Sequence, residues 1–191
     1  MRQQIHDLIL SIEPWDDLEA LQRADTLKWI RSGAEIFRTQ KPATPPKHLV
    51  AYFVVADPVR HRVLLVDHVK AQKWLPTGGH VDPGEHPRAA AAREAQEELQ
   101  LKAEFLYPDP LMVTQTLTVG LTAGHTDVSL WFVVKGDARA ALKYDAHEFK
   151  SVRWFGYDEV LAMDIERLDP HMHRFMGKWG SWVAEGVKGM R

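Results

Sequence analysis

The chain of 191 residues contains no cysteine at all. This excludes disulfides, thiolate metal sites and a cysteine nucleophile. It also lacks a long apolar run near its start. Ile5, Leu8, Ile9 and Ile12 are interleaved with His6, Asp7 and Glu13, so neither a signal peptide nor a membrane span is expected, and the reading is a cytoplasmic protein. Excess positive charge is missing too. A formal net charge of −2 offers no basic footprint for a polynucleotide backbone. What the chain does have is 45% hydrophobic composition, enough for one substantial core.

The first 41 residues read as a helical arm. Ile5, Leu8, Ile9 and Ile12 follow amphipathic spacing. Between Pro14 and Ser32, the residues Leu18, Leu21, Ala24, Leu27 and Ile30 recur every third position, with Gly33 as a stop. The run Pro42-Ala43-Thr44-Pro45-Pro46 sustains neither helix nor ladder, and separates the arm (1–41) from a main domain (42–191). A helix as short as the first is marginal alone below about 12–15 residues, so its stripe must be covered. Either its own domain or the same arm of a second subunit can do this. The stiff joint favours the second, hence a homodimer.

Further on, His48–Ala56 and His61–Val69 read as a hairpin around Asp57-Pro58-Val59-Arg60. Val128–Val134 is apolar enough for a central strand, Val152–Phe155 is a short strand, and Tyr157–Ala162 opens a helix. From Pro170 to Gly186, apolar residues at helical spacing predict a closing helix. The fold class is α/β: a mixed sheet flanked by helices, with an N-terminal helical extension.

The densest chemistry lies between Gly79 and Leu101. Glu94, Glu97 and Glu98 stand at i, i+3 and i+4 and project from one side of a predicted helix. Each like-charge pair costs about 0.2–0.5 kcal/mol, so the cluster asks for a counter-ion. An oxygen-only donor set suits Mg²⁺ or Mn²⁺. Gly78-Gly79 can adopt backbone angles closed to other residues, His86 and Pro87 fit the N-cap and first turn, and Arg93 precedes Glu97 by four residues, within reach of a charge-assisted bond.

Gly79, five residues, Glu85, seven residues, then Arg93-Glu94-x-x-Glu97-Glu98 resembles the signature of the Nudix hydrolases, MutT-like enzymes. The resemblance implies an α/β/α sandwich. It also implies a divalent-metal-dependent hydrolase that cleaves the pyrophosphate linkage of a nucleoside diphosphate joined to another moiety. By the same resemblance the Gly79 carbonyl, Glu94 and Glu98 are metal ligands, Glu97 a further ligand or base, Arg93 a support and Glu85 a brace. The absence of cysteine separates the chain from isopentenyl diphosphate isomerase, which is similar in fold. Two positions depart from the pattern: Gln100 replaces a glycine, and Ala95 a larger apolar residue. The helix is expected to run on through Gln100, because Gln is a good helix former. Neither the proline nor the tyrosine that marks particular substrates in the family stands around Thr114–Val119. Trp74, His125 and Asp127 are candidate substrate contacts, although a polar strand entrance is the better reading of the last two. The alternative function is a Nudix-fold module that binds a nucleotide without cleaving it.

Overall fold

In the computed structural model, which describes residues 1–41, 43–118 and 124–189, the hairpin reading becomes β1 (Lys47–Asp57) and β2 (Arg62–His68), antiparallel with Val55 opposite Leu64. Pro42 of the joint and Val119 lie outside the described residues. Two short strands follow, β3 (Trp74–Leu75) and β4 (Thr77–His80), where the sequence suggests only a glycine turn. β5 (Met112–Leu117) was likewise not expected. β6 (Thr126–Lys135) is central and runs parallel to β1, and β7 (Phe149–Gly156) closes the set. The order is β3-β2-β1-β6-β5, with β4 pairing β1 and β7 pairing β2.

Among the described residues five α-helices cover this sheet: α1 (Arg2–Leu10), α2 (Asp17–Arg31), α3 (Pro87–Leu99), α4 (Tyr157–Ala162) and α5 (Met172–Gly189). One core joins Ile5, Ile9, Ile30 and Ala91 to Ala51, Phe53, Leu130 and Phe132. The opposite face packs Val54, Leu65, Trp131 and Val133 against Val160, Phe175 and Trp179. Strand alternation splits β1 and β6 between these cores, which makes an α/β/α sandwich. Among the described residues no helix is long and apolar enough to cross a membrane.

The arm departs from its expected behaviour in two ways. Its joint does not hold it away from the domain: the Leu49 N–H donates to the Ile36 carbonyl at 2.8 Å, and Ile5, Leu8, Ile9 and Ile12 are buried within the chain's own core. The apolar stripe that suggested a second subunit is therefore already covered. In α2, Leu18 and Leu21 are exposed, while Glu19 and Thr26 are buried. A three-residue repeat drifts around a 3.6-residue helix, so the expected stripe does not stay on one face. The buried face joins Leu27 and Ile30 to these polar residues, which are matched by partners. Glu19 accepts from the backbone N–H groups of Trp15 (2.7 Å) and Val113 (3.2 Å) and pairs with Lys178 of α5 (2.8 and 3.0 Å). Arg174 of α5 likewise grips Asp16, the N-cap of α2, with two bonds (2.7 and 2.6 Å).

Candidate active site

β4 lies against β1 with Gly79 opposite Ala51, and the chain then turns into α3. His86 caps that helix, its Nδ1 accepting from the Arg88 N–H at 3.2 Å, with Pro87 in the first turn. At position 79 a side chain would displace the Glu94 carboxylate. A Cβ there would lie 2.1 Å from Glu94 Oε1, so the bare backbone lets the carboxylate reach the strand.

Glu94 and Glu98 line a cavity of about 1360 Å³ together with Gly79, Arg93 and Glu148. Glu98 is buried, and its Oε2 has no hydrogen-bond partner among the described residues. Burial, then the charges of Glu94 and Glu148, push its pKa up to about 9. Glu94 is raised as well, mainly by burial, although Arg93 opposes the shift. Glu97 differs: its side chain is 60% exposed and stands at the solvent end of the cluster.

Arg93 does not hold Glu97 as its main partner. It forms a fork with Glu85 (Nε–Oε1 and Nη2–Oε2, both 3.0 Å), reaches Glu94 at 2.7 Å and the His80 carbonyl at 3.1 Å, and lies 3.4 Å from Glu97. The side chain turns back along the helix toward the turn carrying Glu85, where a planar fork meets a planar carboxylate. This pairing holds the Glu85 carboxyl below its usual range against the opposing effect of burial.

Gln100 overturns the expected continuation of α3. It is a left-handed C-cap, with φ 51° and ψ 33°. Leu101 donates its N–H to the Ala95 carbonyl at 3.0 Å and packs against the core, which closes the helix at the position where the signature has glycine.

The sequence reading missed Glu148. It sits on a turn whose Asp145 N–H donates to the Glu98 carbonyl at 2.8 Å, and no periodic pattern marks it. Trp74 does not line the cavity; its ring packs edge-on against Phe155, with centroids 4.9 Å apart. Trp131 is a core residue, bonded through Nε1 to Thr114 Oγ1 at 2.9 Å. His125 and Asp127 do line the cavity, and they are not alone. His48, opposite Asp127 across β1 and β6, and His80, at the end of β4, converge on them. Burial pushes the His80 imidazole down to about 3, with Arg38 adding to the effect. Basic side chains, Arg38, Lys41, Lys70 and Lys73, border the same cavity.

Known proteins match this architecture. The model of the NUDIX domain family matches residues 46–178. An asymmetrical bis(5'-nucleosyl)-tetraphosphatase of Rattus norvegicus is 31% identical over 90 residues, covering 47% of this chain and 60% of that protein's length. Among solved structures, an Ap4A hydrolase of C. elegans in a binary complex aligns with a TM-score of 0.53 at 20% identity, covering 71% of this chain and 98% of that one. A MutT protein of Methanosarcina mazei aligns with a TM-score of 0.53 at 21% identity, covering 70% and 92%. At these identities the structural matches speak for the fold.

Proposed function

Since the chain belongs to the Nudix family, we propose that it is a pyrophosphohydrolase acting on a nucleoside diphosphate linked to a further moiety, by attack of water on phosphorus. The reading is carried by Glu98, a buried carboxylate with an unpartnered oxygen, set beside Glu94 and Glu148. Carboxylates crowded in this way fit a divalent cation of the Mg²⁺ or Mn²⁺ type. Glu94, Glu98 and the Gly79 carbonyl would hold it. Once bound, it supplies charge neutralisation on the phosphate oxygens and an acidified water.

The chain's own groups do the rest. Arg93 fixes Glu94 while anchored on Glu85, so the ligand carboxylate is aimed before substrate arrives. Glu97, at the solvent end, is the outer ligand or takes the proton of the attacking water; Glu148, beside Glu98, competes for that second role. The basic residues along the cavity suit a polyphosphate chain. The volume exceeds the roughly 300–1,000 Å³ of ordinary small-molecule pockets, leaving room for a group at each end of that chain. Dinucleoside tetraphosphates, the substrates in the rat relative's name, thus head the candidates.

The test is product analysis after incubating the protein with nucleoside triphosphates, nucleotide sugars, ADP-ribose and dinucleoside polyphosphates, each with Mg²⁺ or Mn²⁺. Metal-dependent release of a nucleoside monophosphate from at least one compound is expected. Tight binding without turnover across the panel would return the chain to a nucleotide sensor. Comparing pH–rate profiles of Glu97→Gln and Glu148→Gln then separates the two proton-acceptor candidates.

A further inference from the structure

His48, His80, His125 and Asp127 each turn one donor atom to a common point, and those atoms lie within 4.8 Å of one another. The hydrogen bond made by His48 decides its tautomer. His48 Nδ1 lies 2.8 Å from the Pro45 carbonyl, an acceptor only, so that nitrogen carries the proton and Nε2 presents a lone pair. His125 Nδ1 lies 3.1 Å from the Thr118 hydroxyl, which leaves its Nε2 turned to the same point. Both Nε2 atoms face Asp127 Oδ1, at 3.3 Å and 3.2 Å. His48 is fully buried, and among the described residues neither its Nε2 nor Asp127 Oδ1 makes a hydrogen bond. A buried nitrogen lone pair and a carboxylate oxygen this close repel unless a cation lies between them.

His80 adds a third imidazole. Its ring centroid is 4.8 Å from that of His48, and its Nε2 is buried without a hydrogen-bond partner among the described residues. We propose that these four side chains form a binding site for one borderline-soft divalent ion such as Zn²⁺ or Co²⁺. Three nitrogens and one carboxylate oxygen are the donor set such ions prefer over Mg²⁺. Two of the separations, 3.3 Å and 3.2 Å, match the edge of a tetrahedron with bonds of about 2.0–2.1 Å, and the remaining donors, all within 4.8 Å, close inward when the ion binds. Four protein ligands close the coordination sphere, so the ion is structural. It pins β1, β4 and the start of β6 together at the cavity wall. The Nδ1 bonds to Pro45 and Thr118 orient two ligands in the way outer-sphere partners orient metal-bound histidines. The site is independent of the hydrolase reading, because it shares no ligand with the carboxylate cluster.

Untagged, chelator-stripped full-length protein, held in excess Mg²⁺ to saturate the carboxylates, is titrated with Co²⁺. One equivalent should bind with the intense visible absorption of tetrahedral cobalt, and Zn²⁺ should displace it. His80→Gln and Asp127→Asn, with folding checked by circular dichroism, should each weaken Co²⁺ binding about a hundredfold or more. Glu98→Gln should leave it unchanged. Zn²⁺ should also raise the Tm of the wild type and of Glu98→Gln, but not of the two ligand variants. A wild type that takes up no Co²⁺, or binds it with the weak absorption of octahedral cobalt, overturns the site. So does His80→Gln binding as tightly as wild type. Loss of the signal in Glu98→Gln would place the ion among the carboxylates instead.

Discussion

Glu94 and Glu98 of α3 border the same cavity as His80, His125 and Asp127, with His48 buried behind them, yet the two groups are built in opposite ways. The first group comes from one helix and the turn before it, and helical periodicity alone puts Glu94 and Glu98 side by side. The second exists only because strand register sets His48 opposite Asp127 and Val50 opposite His80. One is a local motif and the other a product of tertiary pairing. Hard oxygen donors gather in the motif, and nitrogen donors gather in the assembled site.

Removing charge from the motif should have the largest effect. Glu98→Gln and Glu94→Gln are each expected to lower kcat at least about a hundredfold, because each withdraws a charge from a site that depends on a held water. Steady-state kinetics on the best substrate measures this, and near-normal turnover in either variant would dissolve the distinction between the two sites. Gly79→Ala comes next. Its Cβ would meet Glu94 Oε1 at 2.1 Å, so the carboxylate must swing away. A kcat loss of about 10–100-fold, with stability lowered by roughly 1–3 kcal/mol, is expected from kinetics and denaturant melts.

A pH titration sharpens the contrast further. The folded, metal-free protein holds the Glu98 pKa at about 9, above its ordinary value of 4.5. A raised carboxyl contributes stability that is fully present below the unfolded value and lost as pH rises through the folded one. Metal-free wild type should therefore lose on the order of 1–3 kcal/mol between about pH 5 and pH 9 from this group, and Glu98→Gln should flatten that slope. Urea denaturation in chelator across this range reads it directly; an unchanged slope would show that Glu98 is not the group responsible. The smallest effect concerns the end of the motif. Gln100 holds a left-handed angle that costs a non-glycine residue about 1–2 kcal/mol. Gln100→Gly should then raise Tm by about 2–4 °C, with no change in Co²⁺ binding.

Those differences also explain what could be read in advance. The carboxylate cluster was legible because every member lies within 23 residues whose spacing has a single helical interpretation. The hairpin, the central strand and the α4 helix were legible for the same local reason. Nothing in the sequence near His48 or His80 announces the other; only the β1–β4 and β1–β6 registers bring them together. Glu148 arrives through the turn docked on the end of α3 and carries no pattern of its own. The α2 helix was legible from its repeat, but the burial of Glu19 was not, because a buried glutamate is favourable only beside its lysine, which lies on α5. Gln100 failed because helix propensity is a weak guide where tertiary packing of Leu101 demands a turn.

That glutamate and lysine, Glu19 and Lys178, stand 159 positions apart. At about 5–20 residues per second of synthesis, roughly 8–30 s pass between the appearance of one and the appearance of the other. Through that interval α2 carries a charge that cannot be buried, and the face meant for β5 must stay in water. α1 packs in the core on the sheet face away from α5, so it is Glu19 of α2 that finds its charge partner only once α5 is in place.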